Sequence, residues 1–241
     1  MNIIRVESVE STNSYLKDLV HKQSVEEGTV IITDNQTEGR GQRGNAWESE
    51  AGKNITCSMI LYPSFLPIQR YFLLSEAVAL GVKETLDAYT GGISLKWPND
   101  VYYKDHKIAG ILIENELTGN QFGLSVIGVG ININQERFLS NAPHPISLKQ
   151  ITGLELDTKT LLKELVHNIL YRYEQLKAGD TETLIRAYHD ALYRKTGLHP
   201  YKDNEGAFYA RIEWVSDNGF LHLITDKNEE RSYAFKAVSF L

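Results

Sequence analysis

Cysteine is nearly absent: Cys57 stands alone in 241 residues, so no intramolecular disulfide holds the chain together. Basic residues are the minority, with Lys+Arg at 25, Asp+Glu at 31 and a net charge of −6. That balance excludes a protein held on nucleic acid by general positive charge, although a local basic loop stays compatible with it. No run reaches the ~18 consecutive apolar residues of a membrane span. The opening MNIIRVESVE lacks the basic-then-apolar pattern of a secretory signal. There is no repeat and no low-complexity segment. The seven histidines are scattered, with no H-E-x-x-H and no Cys/His cluster, which removes a structural zinc site and leaves no metal-ligand residue to name. G-x-S-x-G and G-x-x-x-x-G-K-[ST] are both missing, so neither a hydrolase nucleophile nor a Walker loop is indicated. The absences together give the expectation of a soluble cytoplasmic protein with no membrane and no DNA partner.

What is present suffices for a sizeable core. Apolar residues make up 42%, and the length suits one large domain, or one domain with a small appendage. Residues 13–21 read as a short helix, with Ser11, Thr12 or Asn13 available to cap it. Residues 29–33 read as a buried strand, and 55–61 alternate so that Ile55, Cys57, Met59 and Leu61 share a face. Cys57 is thus expected to be a small core residue. A helix is predicted around 69–88, followed by β-rich runs at 108–115 and 124–133. From 158 the period becomes helical, with Thr158 as cap and Gly179 as stop, and a second helix over 181–194. After Gly197 about five short strands follow in under fifty residues, with Asp217-Asn218-Gly219 as a turn. A small closed barrel is the expected arrangement, because closure hides strand edges. The boundary is placed near 195, giving segments 1–194 and 195–241.

Three segments concentrate chemistry. Gly39-Arg40-Gly41-Gln42-Arg43-Gly44 matches G-x-G-x-x-G, but no apolar helical stripe follows it, so the dinucleotide reading fails. The physical content remains. Glycines let backbone amides converge, Arg40 and Arg43 add forked donors for phosphate or carboxylate, and Trp47 can stack on a flat ring. A solvated surface turn is the competing account. Lys96-Trp97-Pro98-Asn99-Asp100 places a cation, an amide and a carboxylate together at a strand end or tight turn. Lys107 follows at the mouth of an apolar strand, where a lysine either reaches into a cleft or is simply solvated. In Gly128-Val129-Gly130-Ile131-Asn132 the glycines suggest close approach of a ligand or backbone, or a bulge.

Together, Ser11-Thr12-Asn13, Gln36, GRGQRGNAW (39–47), KWPND (96–100), KIAGIL (107–112) and GVGIN (128–132) resemble the biotin protein ligases in content, order and spacing. The resemblance covers most of residues 8–134 and, more loosely, the terminal β module. It implies an α+β fold: a mixed β-sheet with flanking helices, related to class II aminoacyl-tRNA synthetases, then a small SH3-like β-barrel. It implies two steps, formation of biotinyl-5′-adenylate from biotin and Mg2+-ATP, then acylation of a lysine on a biotin carboxyl carrier protein. By the same resemblance Ser11, Thr12, Asn13 and Gln36 line the biotin pocket. Gly39, Arg40 and Gly41 belong to the loop closing over biotin and adenylate, and Trp47 packs on adenine. Lys107 contacts the biotin carboxyl and α-phosphate, Gly110 lies by the ligand, and Asn132 lies near the phosphates and metal. Asp100 is the candidate for orienting or deprotonating the incoming lysine, with Lys96 near the ATP phosphates. The nucleophile belongs to the partner, so a missing Ser or Cys motif is expected.

Two positions depart from the family loop G-R-G-R-x-G-R-x-W: Gln42 and Asn45 replace its second and third arginines. Arg40 and Arg43 are then expected to take over part of the anion binding, and adenylate to leave more readily. Some family members carry an N-terminal DNA-binding domain; only ten residues precede Ser11 here, too few for a helix-turn-helix. A lipoate ligase is the nearest rival, a non-catalytic biotin- or adenylate-binding module the next, and a nicotinamide oxidoreductase the weakest. The full loop favours biotin over lipoate, and Lys107 favours an enzyme over a pure binder. Relatives include monomers and homodimers, and both stay open.

Overall fold

Alternation and apolar runs place the central strands where the sequence predicts them. The computed structural model describes residues 2–139 and 144–241, and of Arg43 the backbone alone. Seven strands form one sheet: β1 (Ile3–Val9), β2 (Val30–Gln36), β3 (Ile55–Leu61), β4 (Ile93–Lys96), β5 (Asp100–Tyr103), β6 (His106–Thr118) and β7 (Gln121–Ile131). Their order is β1-β2-β3-β7-β6-β5-β4. β1 and β2 pair in parallel, with α1 (Thr12–Lys22) as the crossover; the other pairs are antiparallel.

β3 is buried along its whole length, and its two faces do different things. Ile55, Cys57, Met59 and Leu61 join the main core. Ile60, on the opposite face, packs under α1 with Leu16, Ile31 and Val126, while Thr56 and Ser58 share that face as buried polar groups. Cys57 is a core residue, and burial pushes its thiol up to about 12. On the main-core side lie α2 (Phe72–Asp87), α4 (Thr158–Lys177) and α5 (Thr181–Asp190). The five-residue α3 (Leu148–Thr152) has a reciprocal Ser147/Gln150 cap.

Two cap expectations shift. Asp157, not Thr158, caps α4 by accepting from the amides of Lys159 and Thr160. No side chain of the Ser-Thr-Asn run caps α1. Gln36 does so from the next strand, its Oε1 accepting the Thr12 amide at 2.9 Å. The three polar side chains are thereby free for other work.

The barrel expectation is corrected. β8 (His199–Lys202), β9 (Ala207–Val215), β10 (Leu221–Thr225), β11 (Glu230–Tyr233) and β12 (Ser239–Phe240) form an open sheet of order β11-β10-β9-β8-β12. Among the described residues no pairing joins the edges β11 and β12. The apolar face already has a cover: Tyr201, Ala210, Ile212, Leu221 and Leu223 belong to the same buried cluster as Phe72, Leu184 and Tyr188. Short edges of four and two residues offer little to a stray strand, so closure is not needed to protect them.

Candidate functional site: a polar pocket joined to a cationic cleft

The start of α1, the end of β2 and the middle of β3 bring five polar side chains to one place. Ser58 Oγ lies 2.7 Å from Thr12 Oγ1 and 2.5 Å from Asn13 Oδ1. Thr12 donates its amide and hydroxyl to Gln36 Oε1, which leaves Gln36 Nε2 as the free donor. Asn13 Nδ2 donates to Glu114 Oε2 at 2.8 Å and to the Leu112 carbonyl at 3.3 Å. Both donors of Asn13 are thus used, and its remaining capacity is as an acceptor at Oδ1. Ser11 Oγ accepts from Arg40 Nε at 3.5 Å.

The KWPND segment is the tight turn from β4 to β5, closed by pairing of Lys96 with Asp100 and containing a cis Trp97–Pro98 peptide. Asp100 faces Lys107, at the start of β6, with Oδ1 to Nζ at 2.5 Å. Lys96 donates to Tyr102 Oη at 2.8 Å, with the rings of Tyr102 and Phe240 at 4.5 and 5.3 Å from its Nζ. Burial lowers its pKa below the ordinary lysine value, opposed by Asp100. Trp97 is 4% exposed and serves packing: its indole N–H donates to the Gly219 carbonyl at 3.0 Å. Asn99 ties the turn to β6 by donating to the Ile111 carbonyl.

The 39–47 loop is a closed hairpin with a 3-10 turn at Gln42–Gly44. Trp47 returns along it, its amide on the Gly39 carbonyl at 2.8 Å, and lays its indole across β6 and β7. The two glycines of GVG make room for side chains of the site itself. A Cβ on Gly130 would stand 2.3 Å from Trp47 Cε2, and one on Gly128 would stand 2.4 Å from Asn13 Oδ1. Neither position is a bulge, since the β6–β7 register is regular from Ala109 to Glu116. Lys107 Nζ sits 5.7 Å from the Trp47 ring.

These groups line one cavity of about 540 Å3, within the ~300–1,000 Å3 of small-molecule sites. Ser11, Thr12, Asn13, Gln36, Arg40, Gly41, Trp47, Lys96, Asp100, Lys107 and Gly110 all reach it. Two expected residues do not. Gly39 packs against the Trp47 backbone, and Asn132, 3% exposed, donates to the Ile146 carbonyl and props up the segment before α3. The Arg43 side chain falls outside the described residues. Sequence reasoning missed Glu114 and Ser58, which bond Asn13 from residues 101 and 45 positions away. It also missed Phe235, Lys236, Val238, Ser239 and Phe240, at the end of the second sheet, which form part of the wall; the loose likeness of the terminal β module to the family was the available hint. Among the described lining residues Arg40, Lys96, Lys107 and Lys236 are basic and Asp100 alone is acidic. An acidic protein thus concentrates positive charge at one cleft, the arrangement suited to polyanionic substrates.

Residues 6–132, from within β1 through β7, match one family of known proteins. The chain belongs to the biotin/lipoate A/B protein ligase family. Among the ligase relatives, the bifunctional ligase/repressor BirA of Bacillus spizizenii is 28% identical over 240 residues, covering 97% of this chain and 72% of that one. The biotin--[acetyl-CoA-carboxylase] ligase of Mycobacterium tuberculosis is 36% identical over 132 residues, covering 52% of this chain and 47% of that one. The biotin protein ligase from Aquifex aeolicus, solved in complex with biotin and ATP, superposes with a TM-score of 0.80 at 26% identity. That match covers 100% of this chain and 98% of that one, so the ligase fold extends through the second sheet, beyond the residues the family match spans. Among the described residues no helix is long and apolar enough to cross a membrane.

Proposed function

We propose that this protein is a biotin–[biotin carboxyl carrier protein] ligase, which activates biotin with ATP and transfers it to a lysine of the carrier. The observation that carries this reading is the junction, in one cavity, of a neutral polar pocket with a cationic cleft. The pocket, with an acceptor at Asn13 and a donor at Gln36, suits a cyclic urea, whose N–H and C=O groups would go unpaired in an apolar slot. The dithiolane ring of lipoate has no such groups. The cleft suits a carboxylate meeting a triphosphate.

In the first step a biotin carboxylate oxygen bonds to the α-phosphorus of ATP as the bond to pyrophosphate breaks. Charge accumulates on the phosphoryl oxygens, and Lys107 and Arg40 are placed to meet it before reaction begins. Lys96 and Lys236 stand by for the departing phosphates, and Trp47 offers its face to adenine. In the second step the carrier lysine amine bonds to the acyl carbon and AMP leaves. Asp100, beside Lys107, is the group available to orient that amine or take its proton. Magnesium is expected to enter with ATP, on the phosphate oxygens, since the cleft holds one carboxylate and Mg2+ keeps much of its water. Under this reading the reaction belongs to a compartment that supplies ATP and unmodified carrier, and the cytoplasm is the compartment we propose.

The test mixes purified protein with biotin, Mg2+-ATP and an apo carrier domain, with lipoate in a parallel reaction, and reads carrier mass intact. A biotin-sized shift in the biotin reaction alone is the expected result. A shift with lipoate alone would overturn the substrate, and silence with pyrophosphate also absent would overturn the enzyme.

A further inference from the structure

One acidic side chain joins the two halves of the site. Glu114 sits on β6, half-buried, and its Oε2 accepts from both Asn13 Nδ2 at 2.8 Å and Arg40 Nη2 at 3.1 Å. Its other oxygen lies 3.7 Å from Lys17 Nζ on α1. Asn13 belongs to the polar pocket and Arg40 to the loop over the cleft, so a single oxygen fixes an element of each. We propose that Glu114 is a positioning residue for the biotin site: it sets the amide orientation of Asn13 and latches the Arg40 loop across the cavity mouth. The proposal rests on the reading of this cavity as the biotin site.

The physical argument runs through the donors. An asparagine amide presents an oxygen on one side and a nitrogen on the other, and nothing in its shape chooses between them. Here a carboxylate, an acceptor only, lies on one side and the Ser58 hydroxyl on the other. Nδ2 must face Glu114, so Oδ1 faces Ser58 and Gly128 and meets the ligand as an acceptor. Without Glu114 the Leu112 carbonyl, at 3.3 Å, is a weaker guide, and the inverted amide would set a donor against a ligand N–H. Arg40 loses the Glu114 carboxylate in the same stroke and keeps the long contact to Ser11. A neutral isostere separates the two tasks. The amide oxygen of glutamine can still accept from both donors, but it offers the Arg40 guanidinium no opposite charge, so the ion pair is lost.

The experiment measures biotin binding by calorimetry on wild type, Glu114→Ala and Glu114→Gln, with kcat and KM for biotin and limited trypsin cleavage after Arg40. The alanine variant is expected to weaken biotin binding at least tenfold, appearing chiefly in KM, with kcat falling by a smaller factor through the loosened Arg40. The glutamine variant is expected to bind within threefold of wild type, yet to be cut after Arg40 at least fivefold faster when free of ligand. A general loss of fold would speed cleavage at many sites, whereas release of the latch speeds it at this loop. Biotin binding within twofold in both variants, with unchanged cleavage after Arg40, would overturn the proposal. Should the alanine variant fail to fold, an unchanged cleavage rate in the glutamine variant does so alone. Wild type failing to bind biotin would instead sink the reading of the cavity beneath it.

Discussion

Lys107 and Asp100 form an ion pair at 2.5 Å between neighbouring strands of the cleft wall, each about one-fifth exposed. The proposed mechanism divides their labour, the lysine serving the first step and the carboxylate the second. Lys107→Ala is expected to lower biotin-dependent pyrophosphate release at least a hundredfold. Asp100→Asn should retain adenylate formation within about tenfold and lose more in transfer to the carrier. Equal losses in both steps for Asp100→Asn would reduce that carboxylate to a partner for Lys107.

Gln42 stands where the family loop has its second arginine. It lines the cavity, and among the described residues its buried Oε1 has no hydrogen-bond partner. Gln42→Arg adds a cation to the cleft, so release of pre-formed biotinyl-adenylate should slow by about tenfold. Mixing loaded enzyme with an adenylate trap measures the rate. An unchanged rate would mean that Arg40 and Arg43 already hold the adenylate as well as a third arginine would.

The two strand glycines allow a paired experiment. Gly130→Ala displaces Trp47, and the expected cost is a KM for ATP raised about tenfold with biotin binding preserved. Gly128→Ala pushes on Asn13, and biotin binding should suffer instead. Finding the same kinetic defect in both would show that the added methyl groups disturb the sheet rather than the two side chains.

Glu76, on α2, is 1% exposed, and among the described residues its Oε2 has no hydrogen-bond partner. Burial raises its pKa to about 9, helped by Asp217 and opposed by Arg70. The folded chain therefore keeps a proton that the unfolded chain releases above its ordinary value near 4.5. Stability from this group is full below that value and falls as pH rises towards 9, by up to about 1.4 kcal/mol per pH unit. Urea unfolding at pH 5 and pH 8.5 should show the decline, and Glu76→Gln should flatten it. A slope identical in the variant would assign the pH dependence to other groups.

Local pattern made the interior strands and long helices legible: 55–61, 108–115 and 124–133 alternate or run apolar, and the 158–177 helix repeats its leucines at helical spacing. β1 carries Arg5 and Glu7 and pairs on one side only, so no such signal marks it. The site was legible where its residues cluster in sequence, as in Ser-Thr-Asn and KWPND. Glu114 and Ser58 act across strands, by pairing that spacing does not reveal. Asn132 sits in a motif beside the site, but its side chain turns inward to hold a carbonyl. The barrel was inferred from edges needing protection, a reason that lapses once the apolar face is covered by Tyr188 and Phe72.

The bond from the Trp97 indole to the Gly219 carbonyl, at 3.0 Å, bears on how such an enzyme can change over time. It joins the turn bearing Asp100 to a loop of the second sheet, and Phe235 and Lys236 complete the wall from the same side. A recombination crossover near residue 195 would import a foreign loop opposite Trp97 and foreign side chains opposite the cationic cleft. Such chimaeras should lose nucleotide affinity and unfolding cooperativity together. The C-terminal sheet should then pass between lineages together with the first sheet, and substitutions at 97, 219 and 235 should be constrained jointly.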